Sequence, residues 1–360
     1  METTIVNTEK STHIVPVIEI KFDRHPNADA LSLVHIDDYV CCVKTSDWKE
    51  GQLAAWLPPD SEVDVKRPEF SFLGNKSRIK VKKLRGIVSY GLLVPAPEGS
   101  KVGDNVADIL GVSHYELKIK EENTTSGEVA KAPPGVYPKY DVDAYLKYGR
   151  KVFIEGELVY LSEKLNGSNS KYVYKDGIHC GSRTEFKKEY PEKSKVTLEH
   201  LLKQFNGDEV KANNVYQRIQ NSAPKKNLWW AILDNTPSIK TYCEKNPGFT
   251  LYGEVFGHVG GYPYSGRGAQ FAAFDILKPD CTWMDFPEFL KIVKEYQIPY
   301  APIIHEAIPF HFEEMLQFAE GNSLIPGANH IREGCVIGSV VERWDDRLGR
   351  VKLKIINPEY

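Results

Sequence analysis

Between residues 12 and 111 the chain is broken into short runs rich in Val, Ile and Leu, each about the length of one strand. The runs are HIVPVIEIKF, ALSLVHID, YVCCVKT, QLAAWLP, SRIKVKKL and VSYGLLVP, and the clusters HPNAD, EGQ, PPDSE, LGNKS and APEGS punctuate them with turn-forming residues. Five or more short strands in roughly a hundred residues imply a small barrel or sandwich, and a partly open Greek-key barrel of the OB type is the expected form.

From residue 121 the character changes. EENTTSGEVAKAPPGVYPKYDVDAYLKYGRK is rich in Glu, Lys, Pro and Gly and reads as a linker running into a short helix over 142–148. Beyond it, KVFIEGELVYLSEKL, KYVYKDGIHCGS, TLYGEVFG, QFAAFDIL, EGCVIGSVV and GRVKLKIIN read as strands. VTLEHLLKQFN, NLWWAIL, PEFLKIVKEY and HFEEMLQFAEG read as helices. These segments do not alternate as regular βαβ units, so the expected class is α+β with antiparallel sheets. Domains are expected at 1–120 and 141–360, joined by a linker at 121–140.

Composition narrows the partners. The 46 Lys+Arg against 49 Asp+Glu leave a formal net charge of -3, which excludes binding to nucleic acid through bulk charge alone. Any polyanion must be met by a local patch. A chain of 360 residues, 41% hydrophobic and 11% aromatic, can bury a substantial core and divides more comfortably into two domains than one. Cys41, Cys42, Cys180, Cys243, Cys281 and Cys335 show no CxxC or CxxxC spacing, so neither a zinc site nor a disulfide framework is expected. METTIVNTEKST lacks the features of a signal peptide, and no stretch of about 18 apolar residues could span a bilayer. The expectation is an intracellular protein, cytoplasmic or nuclear and not secreted, with no membrane partner.

The stretch that carries chemistry is Glu163-Lys164-Leu165-Asn166-Gly167-Ser168-Asn169. A lysine at a strand end before an Asn-Gly turn places an amine at the lip of a sheet. The pattern KxxG is common by chance, and Lys83-Leu84-Arg85-Gly86 is a second instance, inside the basic run Lys76, Arg78, Lys80, Lys82, Lys83, Arg85. The segments downstream of Lys164 separate the two. Gly181-Ser182-Arg183-Thr184 offers a guanidinium fork for phosphate. Tyr252-Gly253-Glu254 offers a carboxylate from an apolar strand, and FAAFDI offers Phe274 to stack on a base. Arg332-Glu333-Gly334 offers a second carboxylate for a divalent metal or its waters. Lys352 and Lys354, two apart on a strand, share a face as a clamp for polyphosphate.

EKLNGSN, SRT, LYGEVFG, FAAFDI, REGCVIG and VKLKI stand in the order and rough spacing of motifs I, Ia, III, IIIa, IV and V of the covalent nucleotidyltransferases. Over about 156–356 the chain most resembles the ATP-dependent RNA ligases, and its arrangement is similar to the subgroup with an amino-terminal OB module that seals 3′-OH/5′-phosphate nicks. HPNADALSL and KKLRGIVSYGLL are also similar to parts of tRNA-binding OB modules. DNA ligases and capping guanylyltransferases on the same catalytic fold, which carry an OB domain after motif V, are the enzymatic alternatives. Here only 355–360 follow that motif. A non-catalytic RNA-binding protein is a third alternative, set against a chemically competent side chain at every motif position.

The resemblance implies an ATP-grasp-like nucleotidyltransferase domain of antiparallel sheets flanked by helices. In it Lys164 forms a lysyl-AMP from ATP with Mg2+ or Mn2+, and the AMP passes to an RNA 5′-phosphate in a nicked duplex or RNA/DNA hybrid. It assigns Arg183 to phosphate and ribose, Glu254 to the ribose hydroxyls, Phe274 to adenine, and Asn169 to the α-phosphate or the RNA 5′-phosphate. Glu163 serves adenine recognition or closes its strand, and Asp275 holds the pocket together. Glu333, Glu254 and Asn166 are the candidate metal residues. Several relatives carry a carboxylate where Asn166 stands; Asn166 keeps a hydrogen-bonding carbonyl and lacks the charge. Lys352, Lys354 and the metal would favour the neutral, nucleophilic form of Lys164. The protein is expected to act as a monomer.

Singly, several of these residues have plainer readings. Phe274 reads as core, and Lys352 and Lys354 as the solvated face of a strand. Glu254 differs, because a carboxylate in an apolar run is rarely buried without a partner. In the basic run, Lys76, Arg78, Lys80 and Lys82 alternate with Ile79 and Val81, giving either a solvated hairpin face or a phosphate track. His179, His258, His305, His311 and His330 show no metal spacing. Trp229 and Trp230 read as anchors of a helix on the sheet, and KANNVYQRIQNSAPKKN as a polar surface loop.

Overall fold

Strict alternation builds the first strands. In Leu31–Ile36 the side chains of Ser32, Val34 and Ile36 are buried, and in the antiparallel neighbour Tyr39–Lys44 those of Tyr39, Cys41 and Val43 are. One face therefore lies on the core and the other faces outward. The computed structural model describes residues 13–115, 129–190, 198–221, 226–257, 264 and 268–360. The first twelve residues, residues 121–128 of the expected linker, residues 222–225 of the expected polar loop, and His258 lie outside the described residues. None of the described helices is long and apolar enough to cross a membrane.

The described residues form two compact units, 13–115 with 143–151 and 355–360, and 129–142 with those described between 152 and 354. In the first, the order Val17–Glu19, Leu53–Leu57, Leu92–Pro95 makes one three-stranded sheet, and Asp23–Arg24, Leu31–Ile36, Tyr39–Lys44 makes another. Leu53–Leu57 is central and buried on both faces. Its core gathers Val15, Val17, Ala55, Leu57, Phe70 and Val94, the small β-barrel that the short runs imply. The hairpin Lys82–Leu84/Ile87–Ser89 turns at Arg85 and Gly86, both with positive φ (49° and 89°), as a two-residue hairpin turn requires.

The second unit holds two antiparallel sheets. One runs in the order Val129–Ala130, Phe186–Lys187, Ile178–Ser182, Gly167–Tyr174, Thr250–Phe256, Gln270–Leu277. The other places Gly334–Ser339, Leu158–Glu163 and Ile303–Pro309 side by side, with residues 352–354 next to Gly334–Ser339. Main-chain bonds Ala273 N–H to Pro299 O and Ala301 N–H to Ala273 O, both 2.8 Å, tie the first sheet to the segment that leads into Ile303–Pro309. Helices Leu228–Asn235, Pro237–Lys245 and Phe286–Glu295 cover one face of the first sheet, burying Tyr172, Leu251, Val255, Phe271 and Ile276. The opposite face therefore receives the alternate residues, Asn169, Tyr252 and Glu254.

Two glycines let these strands approach. A Cβ on Gly167 would lie 2.2 Å from Val255 O, and one on Gly253 would lie 2.2 Å from the Phe271 ring. No larger residue fits at either position.

Three local expectations differ from what is found. The helix after the linker spans Tyr145–Val152 rather than 142–148, so the strand expected from KVFIEGELVYLSEKL begins only at Leu158. Residues 211–221 of the stretch expected as loop lie in a helix, Glu209–Asn221, that packs against Leu198–Gln204. Its polar composition hid a periodicity carried by few apolar residues. The basic run is not one continuous strand, because only Lys82–Leu84 pairs in a hairpin.

Candidate active site

Lys164 and Glu333 meet because their strands pair. Leu158–Glu163 and Gly334–Ser339 are antiparallel neighbours with Glu163 opposite Cys335, which puts the residue after one strand beside the residue before the other. Lys164 N–H donates to Gly334 O at 3.0 Å, and Lys164 Nζ lies 2.5 Å from Glu333 Oε1. Glu333 is buried, and Lys164 is partly exposed.

Glu254 joins them from the first sheet. Burial pushes its carboxyl up to about 8. Lys164 and Arg183 pull in the opposite direction, and Glu333 adds to the rise. These four groups thus share one electrostatic neighbourhood, in keeping with the motif order. Asn169 is directly opposite Glu254 in the strand register. Its main-chain oxygen accepts from Trp229 Nε1 at 3.2 Å, and its Oδ1 is buried with no hydrogen-bond partner among the described residues. A buried acceptor of this kind calls for a donor, which a bound ligand can bring. Two carboxylates, an amine and a guanidinium converging beside it form a donor set suited to a nucleotide and a divalent cation.

Other site residues are held in specific ways. Both oxygens of the buried Glu163 are engaged, by Ser323 Oγ and Leu324 N–H, each at 2.6 Å. Glu163 thereby fixes the segment carrying Ile325, which packs beside Phe274 against Leu165 and Tyr264. Phe274 is half-buried, with the Tyr140 ring 4.6 Å away. Asn166 is buried, and its N–H donates to the Tyr264 hydroxyl at 2.9 Å.

Lys352 is not placed as a freely exposed clamp. Its side chain is buried, with Nζ 2.6 Å from Asp275 Oδ2 and 3.1 Å from the Tyr140 hydroxyl. A bulge between the Thr250–Phe256 and Gln270–Leu277 strands sets Asp275 opposite Tyr252 and makes this pairing possible. Lys354, two residues on, is half-buried.

No motif marks Tyr140, the last residue of the expected linker, or Asp141 directly after it. Tyr140 bonds to Asp275, and Asp141 lies 3.5 Å from Arg183. Lys171 is likewise unmarked, although it stands two residues after Asn169 on the same strand face. It is buried, its Nζ lies 3.4 Å from Arg183 O and 4.9 Å from the Phe186 ring centre, and burial lowers it to about 8.

The basic run lies in the other unit. Lys76, Lys80, Lys82 and Arg85 are exposed. Arg78 is committed to Asp60 at 2.7 Å and packs over the Tyr115 ring, and Lys83 lies 3.7 Å from Glu359.

No curated protein matches the chain. Residues 14–96 match an OB-fold domain family. Among solved structures, RNA ligase of Naegleria gruberi with PPi is similar, with a TM-score of 0.71, 22% identity and coverage of 97% of both chains. A mutant of the same enzyme with ATP and Mn has a TM-score of 0.70 and 21% identity, covering 96% of this chain and 98% of that one. Another, with AMP and Mn, has a TM-score of 0.70 and 21% identity over 97% and 98%. At this identity the likeness is one of fold, over nearly the full length. Residues 157–356 match the RNA ligase family, over half of the 360 residues and spanning Lys164, Glu254 and Glu333, and the chain belongs to that family.

Proposed function

We propose that the chain is an ATP-dependent RNA ligase that joins 3′-OH and 5′-phosphate ends through a lysyl-AMP on Lys164. The observation that carries this reading is the convergence of Lys164 Nζ on Glu333 at 2.5 Å, with Glu254 and Arg183 acting on the same space.

In the first step the Nζ lone pair attacks the α-phosphorus of ATP. An N–P bond forms as the P–O bond to pyrophosphate breaks, and Nζ gives up a proton. An oxygen of the RNA 5′-phosphate then attacks the same phosphorus and frees the lysine. Finally the 3′-OH attacks the activated 5′-phosphate and expels AMP. Covalent catalysis divides one difficult condensation into displacements with good leaving groups.

Arg183 would hold phosphate oxygens, and Asn169 Oδ1 would accept from the ligand. Glu254 would bind the ribose hydroxyls, with Phe274 against the base and Lys354 toward the phosphates. Glu333, Glu254 and Asn166 would hold a divalent cation, Mg2+ or Mn2+, which when bound supplies positive charge that stabilises the transferring phosphate and favours the neutral amine. The solved relatives with ATP, AMP and Mn support the nucleotide and metal assignments. Residues 1–120, with the exposed Lys76, Lys80, Lys82 and Arg85, would grip the RNA.

The test is sealing of nicked all-RNA, RNA/DNA hybrid and all-DNA duplexes with ATP or GTP. ATP-driven joining of nicks with RNA ends is expected. Joining only all-DNA nicks, or no joining with either nucleotide, would overturn the reading.

A further inference from the structure

Four segments that carry the site meet at one tyrosine that belongs to none of the sequence motifs. Tyr264 lies in the connection between the Glu254 strand and the Phe274 strand, and only 1% of it is exposed. Its hydroxyl accepts from Asn166 N–H at 2.9 Å, in the turn directly after the nucleophile. Its ring meets Phe256, at the end of the Glu254 strand, edge-on at 5.0 Å, and His330, three residues before Glu333, at 4.7 Å. Its main-chain oxygen accepts from Gln270 Nε2 at 3.1 Å, at the start of the Phe274 strand. Leu165 packs in the same buried cluster.

The nucleophile is therefore fixed from both sides. Lys164 N–H is held by Gly334 O at 3.0 Å, and two residues later Asn166 N–H is held by Tyr264. Between these anchors the backbone has little freedom, so the direction in which the Lys164 side chain leaves the sheet depends on both. An in-line attack is sensitive to such placement, because a misplacement of about 1 Å can cost about a hundredfold.

Resting on the ligase reading, we propose that Tyr264 is a positioning residue for the first step, holding the 164–167 turn so that Lys164 Nζ faces the α-phosphate. It touches no reacting atom. The final attack of the 3′-OH on an adenylylated end uses Lys164 neither as nucleophile nor as leaving group, so it should depend on Tyr264 much less.

Tyr264→Phe keeps the ring and its packing and removes the hydroxyl, and with it the acceptor for Asn166 N–H. The rate of lysyl-AMP formation from ATP should fall about tenfold or more, with KM for ATP changed less than about twofold. Sealing of a pre-adenylylated RNA strand beside a 3′-OH should stay within about twofold of the unsubstituted protein. In the unsubstituted protein the Asn166 amide should exchange slowly with solvent, and in Tyr264→Phe it should exchange faster. An unchanged first-step rate, or equal loss in both reactions, would overturn the proposal. Fast Asn166 exchange in the unsubstituted protein would overturn it too, and that measurement does not require the variant to fold. Absence of lysyl-AMP in the unsubstituted protein would instead remove the ligase reading, with the amide exchange still reporting on the turn.

Discussion

Asp275 Oδ2 lies 2.6 Å from Lys352 Nζ, and the same carboxylate takes hydrogen bonds from Arg350 and the Tyr140 hydroxyl at 2.6 Å each. Burial opposes ionisation of Asp275, yet Arg350 and Lys352 hold its carboxyl down to about 2. It is the shared counter-ion of the buried Lys352 and the part-buried Arg350. Asp275→Asn should therefore cost about 3–5 kcal/mol in urea unfolding, because it leaves the buried Lys352 without a carboxylate, while Arg350 keeps Glu342. Lys352→Met should cost less, since Arg350 remains on Asp275. Equal costs would contradict the shared role. The carboxyl is depressed in the folded state, so its contribution is complete above the ordinary Asp range and is lost as pH falls toward about 2.

Glu254 titrates in the opposite sense. With its carboxyl pushed up to about 8, chiefly by burial, it is largely protonated at neutral pH, and a divalent cation must compete with that proton. Mn2+ affinity, measured by calorimetric titration, should rise as pH climbs through about 8, and Glu254→Gln should flatten that dependence. The folded state also binds more protons here than the unfolded chain does. This site should therefore reduce stability as pH rises from the ordinary carboxylate range through about 8, and Glu254→Gln should remove that loss. Identical pH profiles in both proteins would contradict the assignment.

The basic run divides into residues that face solvent and one that supports the fold. Lys76→Ala, Lys80→Ala and Lys82→Ala should each weaken RNA binding and lower its salt-dependence slope by about one, with thermal stability unchanged. Arg78→Ala should instead lower Tm, because Arg78 holds Asp60 and covers Tyr115. Loss of RNA affinity with Arg78→Ala at unchanged Tm would reverse that division.

Legibility in the sequence tracks the range of the interactions involved. Strand alternation and turn chemistry are local, so the Thr250–Phe256 and Gln270–Leu277 strands, the second half of Gly167–Tyr174 and most of the barrel strands could be read directly. The helix Glu209–Asn221 was hidden because its propensity rests on polar residues with few apolar marks. Within the site, the ordered motifs brought out Lys164, Glu254 and Glu333, whose side chains the fold gathers into one neighbourhood. The occupation of Lys352 by Asp275 was not legible, because it depends on a bulge that shifts one strand by a residue. Tyr140, Asp141 and Tyr264 make contacts with segments far away in sequence, and Lys171 with the neighbouring strand and its turn, and no spacing rule marks them.

The most direct measurement is transfer of label from α-labelled ATP to the protein, with Mg2+ or Mn2+ present, read on a denaturing gel. Label should appear on the unsubstituted protein, vanish in Lys164→Ala, and persist nearly intact in Lys83→Ala. No label on folded protein with either metal, or equal loss in both variants, would contradict Lys164 as the nucleophile.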